Sequence, residues 1–172
     1  MVETVKGSIS LDELGFTLMH EHLYLGDWNH RMSDPEWFDY EDGMNMITGV
    51  LRNAMEAGVK TLVDVTPFNL GRDVDLLLEA AQKTGMHIVA ATGAYIDESG
   101  QFSQISEENL LKMILREVRE GVGTAHIRCG VIICIHSLLN TLAADPGIYH
   151  HVALIASQTD AVATAATGYT KK

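Results

Sequence analysis

The chain alternates two kinds of segment, and that alternation narrows its fold more than any other feature. Short, nearly continuous apolar runs are followed by longer stretches with helical spacing, each closed by glycine. Gly15 to Leu25 (GFTLMHEHLYL) reads as a strand leading into a loop, and Gly26 to Asp42, rich in Trp, Asn, Asp, Ser and Pro, as a long loop. From Gly43 to Ala57 the residues Met46, Ile47, Val50, Leu51 and Ala54 keep the spacing of one helix face, and Gly58 is a natural stop. Val59 to Thr66 is a second strand, ended by Pro67. Asp73 to Thr84 is a helix closed by Gly85, and Met86 to Thr92 a third strand. Ser106 can cap a helix from Glu107 to Glu120, which Gly121 ends, and Val131 to Ile135 is a fourth strand.

Strands joined by helices of this length predict βα units and a parallel sheet. The unbroken apolar strands agree, because a parallel sheet is covered on both faces. Two closures remain open: a doubly wound open sheet or a (β/α)8 barrel. No glycine-rich G-x-G-x-x-G or G-K-[ST] loop follows the first strand, which speaks against a nucleotide-binding sheet. A complete barrel takes ~250 residues, so these 172 residues would make about half of one.

Composition excludes several functions. Hydrophobic residues make up 47% of the chain and charged residues 20%, enough apolar matter for a buried core. Twelve basic residues face 23 acidic ones, a formal net charge of −11, so neither nucleic acid nor an anionic membrane is an expected partner. The charge is uneven. Only Asp145, Asp160, Lys171 and Lys172 lie beyond Arg128. Two cysteines, Cys129 and Cys134, imply no disulfide framework. No apolar run approaches the ~18 residues of a membrane span, and Met1 to Asp12 has no signal-like apolar core. A cytoplasmic soluble protein is the expectation.

His20-Glu21-His22 lies at the end of the first strand. Residues two apart on a strand share a side, at ~6.6 Å for two steps of ~3.3 Å. Two such imidazoles can converge on one divalent cation, while Glu21 points away. The spacing alone is equally met by two histidines bonded to solvent and backbone.

The surrounding residues carry a resemblance. Gly15 to Leu23 (GFTLMHEHL) resembles the first signature of the phosphotriesterase family, its lactonase-like members included. Thr61 to Pro67 with Asn69 to Asp73 is similar to that family's second strand and helix start. Lys83-Thr84-Gly85 with Val89 to Tyr95 is similar to its third strand, and Glu120 to Ile132 to the lead into its fourth. The similarity runs in order from about residue 7 to 132. It implies the N-terminal half of a (β/α)8 barrel of the amidohydrolase superfamily, an incomplete barrel of four to five βα units. It also implies two divalent metals, zinc by preference, at the C-terminal strand ends, with a metal-activated water attacking a small-molecule phosphotriester, lactone or ester. His20 and His22 carry over as ligands of one metal. Tyr95 stands where lactonase-like members place a tyrosine near the substrate, or is packed under a loop. Trp28, Trp37 and Phe38 sit in the long acidic loop at the same barrel end as His20, where they line a substrate pocket or cap the core.

The pattern then breaks. The family's bridging lysine or glutamate belongs just after Val131-Ile132, where this chain has Ile133 and Cys134. Cys134 is a thiolate donor or an inert core residue. Leu154 to Tyr169 resembles the family's fourth helix and fifth strand, with Ala166 in a ligand histidine's place. Residues 133–172 are expected to be a diverged or frameshifted tail, separate from 1–132. Arg72 and Asp73 are expected to fix the second helix start, and Asp64 to be a partner of the site or a bonded strand residue. His136, and the adjacent His150 and His151, suggest no further site. The expected function is a metal-dependent hydrolase, weak or inactive as this chain. The alternatives are a non-catalytic remnant and a half-barrel that associates with itself or a partner through its open edges.

Overall fold

The computed structural model describes residues 1–26, 30, 33, 34, 36, 38–96, 106–136 and 162–167. A hairpin of β1 (Val2–Thr4) and β2 (Gly7–Ile9) comes first. Then follow β3 (Phe16–Glu21), α1 (Tyr40–Glu56), β4 (Val59–Asp64), α2 (Val74–Thr84), β5 (His87–Ile96), α3 (Glu107–Arg119), β6 (Val131–His136) and β7 (Val162–Thr167). The five strands β3 to β7 form one sheet in the order of the sequence, and every neighbouring pair is parallel. A doubly wound sheet reverses its strand order at a switch point. Consecutive order has no such point and belongs to a barrel, so the fold is an incomplete (β/α)8 barrel.

The two faces of the sheet bury different sets. Val63, Val65, Val89, Ala91, Val131 and Ile133 form the cluster on one face, with Val2 of the hairpin against it. Leu62, Ile88 and Ala90 alternate with them and join Leu51, Leu76 and Leu77 of the helices on the other. Ile132 does the same with Leu110, Ile114 and Val118 of α3. Each fully buried aliphatic side chain contributes roughly 1.5–3 kcal/mol relative to exposure.

Helix starts follow their caps. Asp39 accepts from Asp42 N, Asp73 from Leu76 N and Ser106 from Asn109 N. Each cap contributes about 1 kcal/mol. The Asp39 cap begins α1 at Tyr40, so the last residues of the expected loop are helical. The buried face of α1 is also rotated from the expected stripe. Gly43, Met44, Ile47, Thr48 and Leu51 are buried, while Met46 is 69% and Val50 56% exposed. β3 has no neighbour beyond it among the described residues, so nothing described covers that side.

β5 runs past the expected Thr92 to Ile96. Gly93, at φ +107, lets it pass β6 so closely that a Cβ there would lie 1.8 Å from the Ile133 carbonyl. The hairpin has no expected counterpart. It turns at Gly7 with φ +112, and Val5 N donates to Ile88 O at 2.8 Å, which seats it at the N-terminal ends of the strands. β7 falls within the stretch compared with a fifth strand, and Ala166 pairs with Ile135. The helix expected before it lies outside the described residues. No helix among the described residues is long and apolar enough to cross a membrane.

Candidate metal centre

The first strand is irregular at its histidines. Leu18 opposes Leu62, and both belong to the helix-side cluster. Three residues later Glu21 opposes Asp64, only two residues along β4. The extra residue is a bulge, and β3 ends at Glu21. His22 follows at once and lines a cavity with Met46, Ile47 and Val50 of α1. The rings of His20 and His22 are neighbours, with centroids 5.5 Å apart and planes at 79°. Both residues are exposed.

The support beneath them is buried. Asp64 is 1% exposed at the end of β4. Its two oxygens accept from Leu23 N at 2.8 Å and Thr66 N at 2.9 Å. One carboxylate thus ties the chain after the histidines to the end of the next strand. Burial raises the Asp64 pKa above its ordinary value, while the bonds from Leu23 and Thr66, and the nearby His22, work against that rise. Thr66 Oγ1 lies 2.9 Å from His22 Nδ1. Asp64 is therefore a partner of the histidine corner and not merely a bonded strand residue.

Beside the corner lies a cavity of about 190 Å³, lined by His22, Tyr24, Phe38, Met46, Ile47 and Val50 among others. Phe38 packs on Tyr24 with ring centroids 4.9 Å apart. It also covers Gly43, where a Cβ would lie 2.3 Å from the ring. Phe38 thus both lines this cavity and caps the core. A larger cavity of about 570 Å³ lies at the opposite end of the strands. Its Lys6 already donates to the Ala81 and Gly85 carbonyls, and its Arg128 pairs with Glu3.

Two neighbouring, exposed imidazoles fit a divalent metal as two of about four donors. Among the described residues no third His, Cys, Asp or Glu joins them. Ile133, at the place of the expected bridging ligand, is fully buried in the apolar inner cluster. The corner therefore fits part of a coordination shell. Cys134 pairs through its backbone with Ala94 and Ala165, and Tyr95 with Ile135. Trp28, Trp37, His150 and His151 lie outside the described residues.

Arg72 departs from its expected role. Asp73 does start α2, as its cap. Arg72 turns inward instead, gripping Glu117 of α3 through both terminal nitrogens at 2.7 and 2.8 Å and donating to Ala91 O at 2.9 Å. Thr92 donates to the same Glu117 carboxylate. Burial opposes the Arg72 charge, but the bonds to Glu117 and the nearby Cys129, Glu117 and Asp64 together outweigh it, so its pKa is raised. Cys129 stands 3.7 Å from the guanidinium, and burial pushes its thiol up to about 12. Sequence reasoning missed Glu117 and Thr92. The one signal was Glu117, an acidic residue on the apolar side of an otherwise amphipathic helix.

Comparisons with known proteins agree with this fold. The model of the phosphotriesterase family matches residues 1–170. An aryldialkylphosphatase of Saccharolobus solfataricus is 32% identical over 146 residues, covering 83% of this chain and 44% of that protein. An N-acetyltaurine hydrolase of Danio rerio is 29% identical, covering 76% of this chain and 46% of that one. A mutant PTE-like lactonase of Deinococcus radiodurans superposes with a TM-score of 0.84 at 29% identity, covering 97% of this chain and 55% of that one. The chain spans about half the length of the curated relatives it matches. With its family-model match running nearly end to end over a consecutive parallel sheet, the chain belongs to the phosphotriesterase family.

Proposed function

We propose that the chain supplies the first-strand part of a divalent-metal hydrolase centre, with zinc as the metal and small-molecule phosphotriesters, lactones or esters as substrates. The observation that supports this reading is the pair of neighbouring, exposed imidazoles of His20 and His22 beside the buried Asp64. A bound divalent ion would supply hydroxide at neutral pH and polarise the oxygen under attack. The chain's own residues hold that ion through His20 and His22 and fix His22 through Thr66. Tyr95 and Trp28 are proposed to contact substrate, and Cys134 to be a further donor if it ionises.

Zinc and cobalt titration of the purified chain tests the reading, followed by turnover of an aryl phosphotriester, an aryl ester, a lactone and an N-acyl amide. His20→Ala and His22→Ala should each abolish metal uptake. Uptake equal to the parent in both variants overturns it.

A second reading is a non-catalytic barrel half. It is favoured by Ile133 in the bridging place and by the want of a third donor among the described residues. Metal uptake without turnover of any substrate supports it. Association through the open edge belongs to the same reading. Phe16 and Met19 on β3 are 66% and 55% exposed, and light scattering reads the oligomeric state. Residues 133–172 are proposed as a diverged or frameshifted tail, which resequencing the gene in all reading frames tests.

A further inference from the structure

We infer that Thr66 is a positioning residue that fixes the tautomer of His22, so that Nδ1 carries the proton and Nε2 the free electron pair. A neutral imidazole has one N–H and one lone pair, and its neighbours decide which nitrogen holds which. At His22 the deciding neighbour is Thr66 Oγ1, 2.9 Å from Nδ1. A threonine hydroxyl has one proton to give and lone pairs to accept with.

The other partner of that hydroxyl only accepts: the Tyr24 carbonyl oxygen lies 3.5 Å away. Thr66 is 1% exposed, so water does not compete for its proton. The hydroxyl has one proton, so it serves both contacts only by donating to Tyr24 O and meeting Nδ1 with a lone pair, and Nδ1 must then donate. The reverse arrangement gives up the contact with the Tyr24 carbonyl. The order of donation is therefore His22 to Thr66 to Tyr24. It resembles the backbone carbonyls that orient metal-ligating histidines, with a hydroxyl interposed.

The Asp64 carboxylate accepts from Leu23 N, the amide following His22. Asp64 thus holds the histidine's backbone neighbour, and Thr66 holds its ring. His20 has no such partner among the hydrogen bonds of the described residues. The two histidines are unequal: His22 is set before any ligand arrives, and His20 adjusts to it. The tautomer itself does not depend on the metal reading, but its consequence for metal affinity rests on it.

Side-chain ¹⁵N spectra of the metal-free chain, above the imidazole titration range, test the inference. The His22 signal is assigned by its loss in His22→Gln. The expected result is an Nδ1–H tautomer in the parent and in Thr66→Ser, and a shift toward Nε2–H in Thr66→Val. An Nε2–H tautomer in the parent, or a Thr66→Val spectrum like the parent's, overturns it. Zinc titration then separates the two proposals. Thr66→Val should bind zinc about 10–100-fold more weakly than the parent, with Thr66→Ser restoring affinity. A parent with the Nδ1–H tautomer that takes up no zinc upholds the inference and sinks the metal reading.

Discussion

Two polar clusters sit near the C-terminal ends of these strands, and they spend their hydrogen bonds in opposite ways. In the knot of Arg72, Glu117 and Thr92, the charged groups turn on one another. Both Glu117 oxygens are occupied, and the Arg72 and Glu117 side chains are 4% and 10% exposed. In the corner of His20, His22, Asp64 and Thr66, only the lower half is buried and saturated. The histidines above it are exposed. The first arrangement ties α3 and the loop before α2 to β5, buried and bonded within itself except for Arg72 Nε. The second holds the His22 ring from below and leaves both imidazoles exposed. Burial alone would have ranked the knot as the more notable site. The exposure of the two imidazoles reverses that ranking.

The difference can be broken by substitution. The largest effect is expected at the knot. Arg72→Ala or Glu117→Ala strands a buried charge and should cost about 3–5 kcal/mol in urea unfolding. The double substitution Arg72→Met with Glu117→Leu removes both charges and should cost less than either single change. A double variant as unstable as the sum of the singles would mean that the two residues do not stabilise the fold through each other.

An intermediate effect is expected at the base of the corner. Asp64→Ala leaves two amide N–H groups without their acceptor and should cost about 1–3 kcal/mol. The pH dependence has a definite sign. Burial raises the folded pKa of Asp64, so its contribution is fullest below the ordinary carboxylate range and declines as pH rises through the raised value. Asp64→Asn lacks that titration, so unfolding curves of parent and variant should diverge as pH rises. Parallel curves would refute the assignment.

The histidines themselves should carry little stability. His20→Ala and His22→Ala are expected to lie within about 0.5 kcal/mol of the parent in the same assay while losing metal. A loss of several kcal/mol would turn the corner into a second structural knot.

The smallest effect concerns Cys129, beside the Arg72 guanidinium. With its thiol pushed up to about 12, almost no thiolate forms at pH ~8. Peptide mapping after thiol labelling should find Cys129 unmodified in the folded chain and modified only on unfolding. Fast labelling of the folded chain would show that the knot opens.

Much of the fold was legible because it is local. The caps at Asp73 and Ser106, the glycine stop at Gly85 and the apolar strands act over a few residues, and their signals are contiguous. The histidine pair was legible for the same reason. Glu117 was not, since its partners Arg72 and Thr92 lie 45 and 25 residues away and nothing near α3 betrays them. The exposure of Met46 and Val50 was also hidden, because the sequence marks a face as apolar without saying how much of it a neighbour covers.

The sequence by itself determined the alternation of strand and helix, the order of the βα units and the presence of two imidazoles two residues apart. Those follow from periodicity and steric preference along the chain. The tertiary structure alone decided that the strands lie in consecutive order and that a bulge falls between Leu18 and Glu21. It also decided that Asp64 and Thr66 meet the histidine corner from the end of the next strand. Register and pairing are agreements between distant segments, and no local run of residues encodes them.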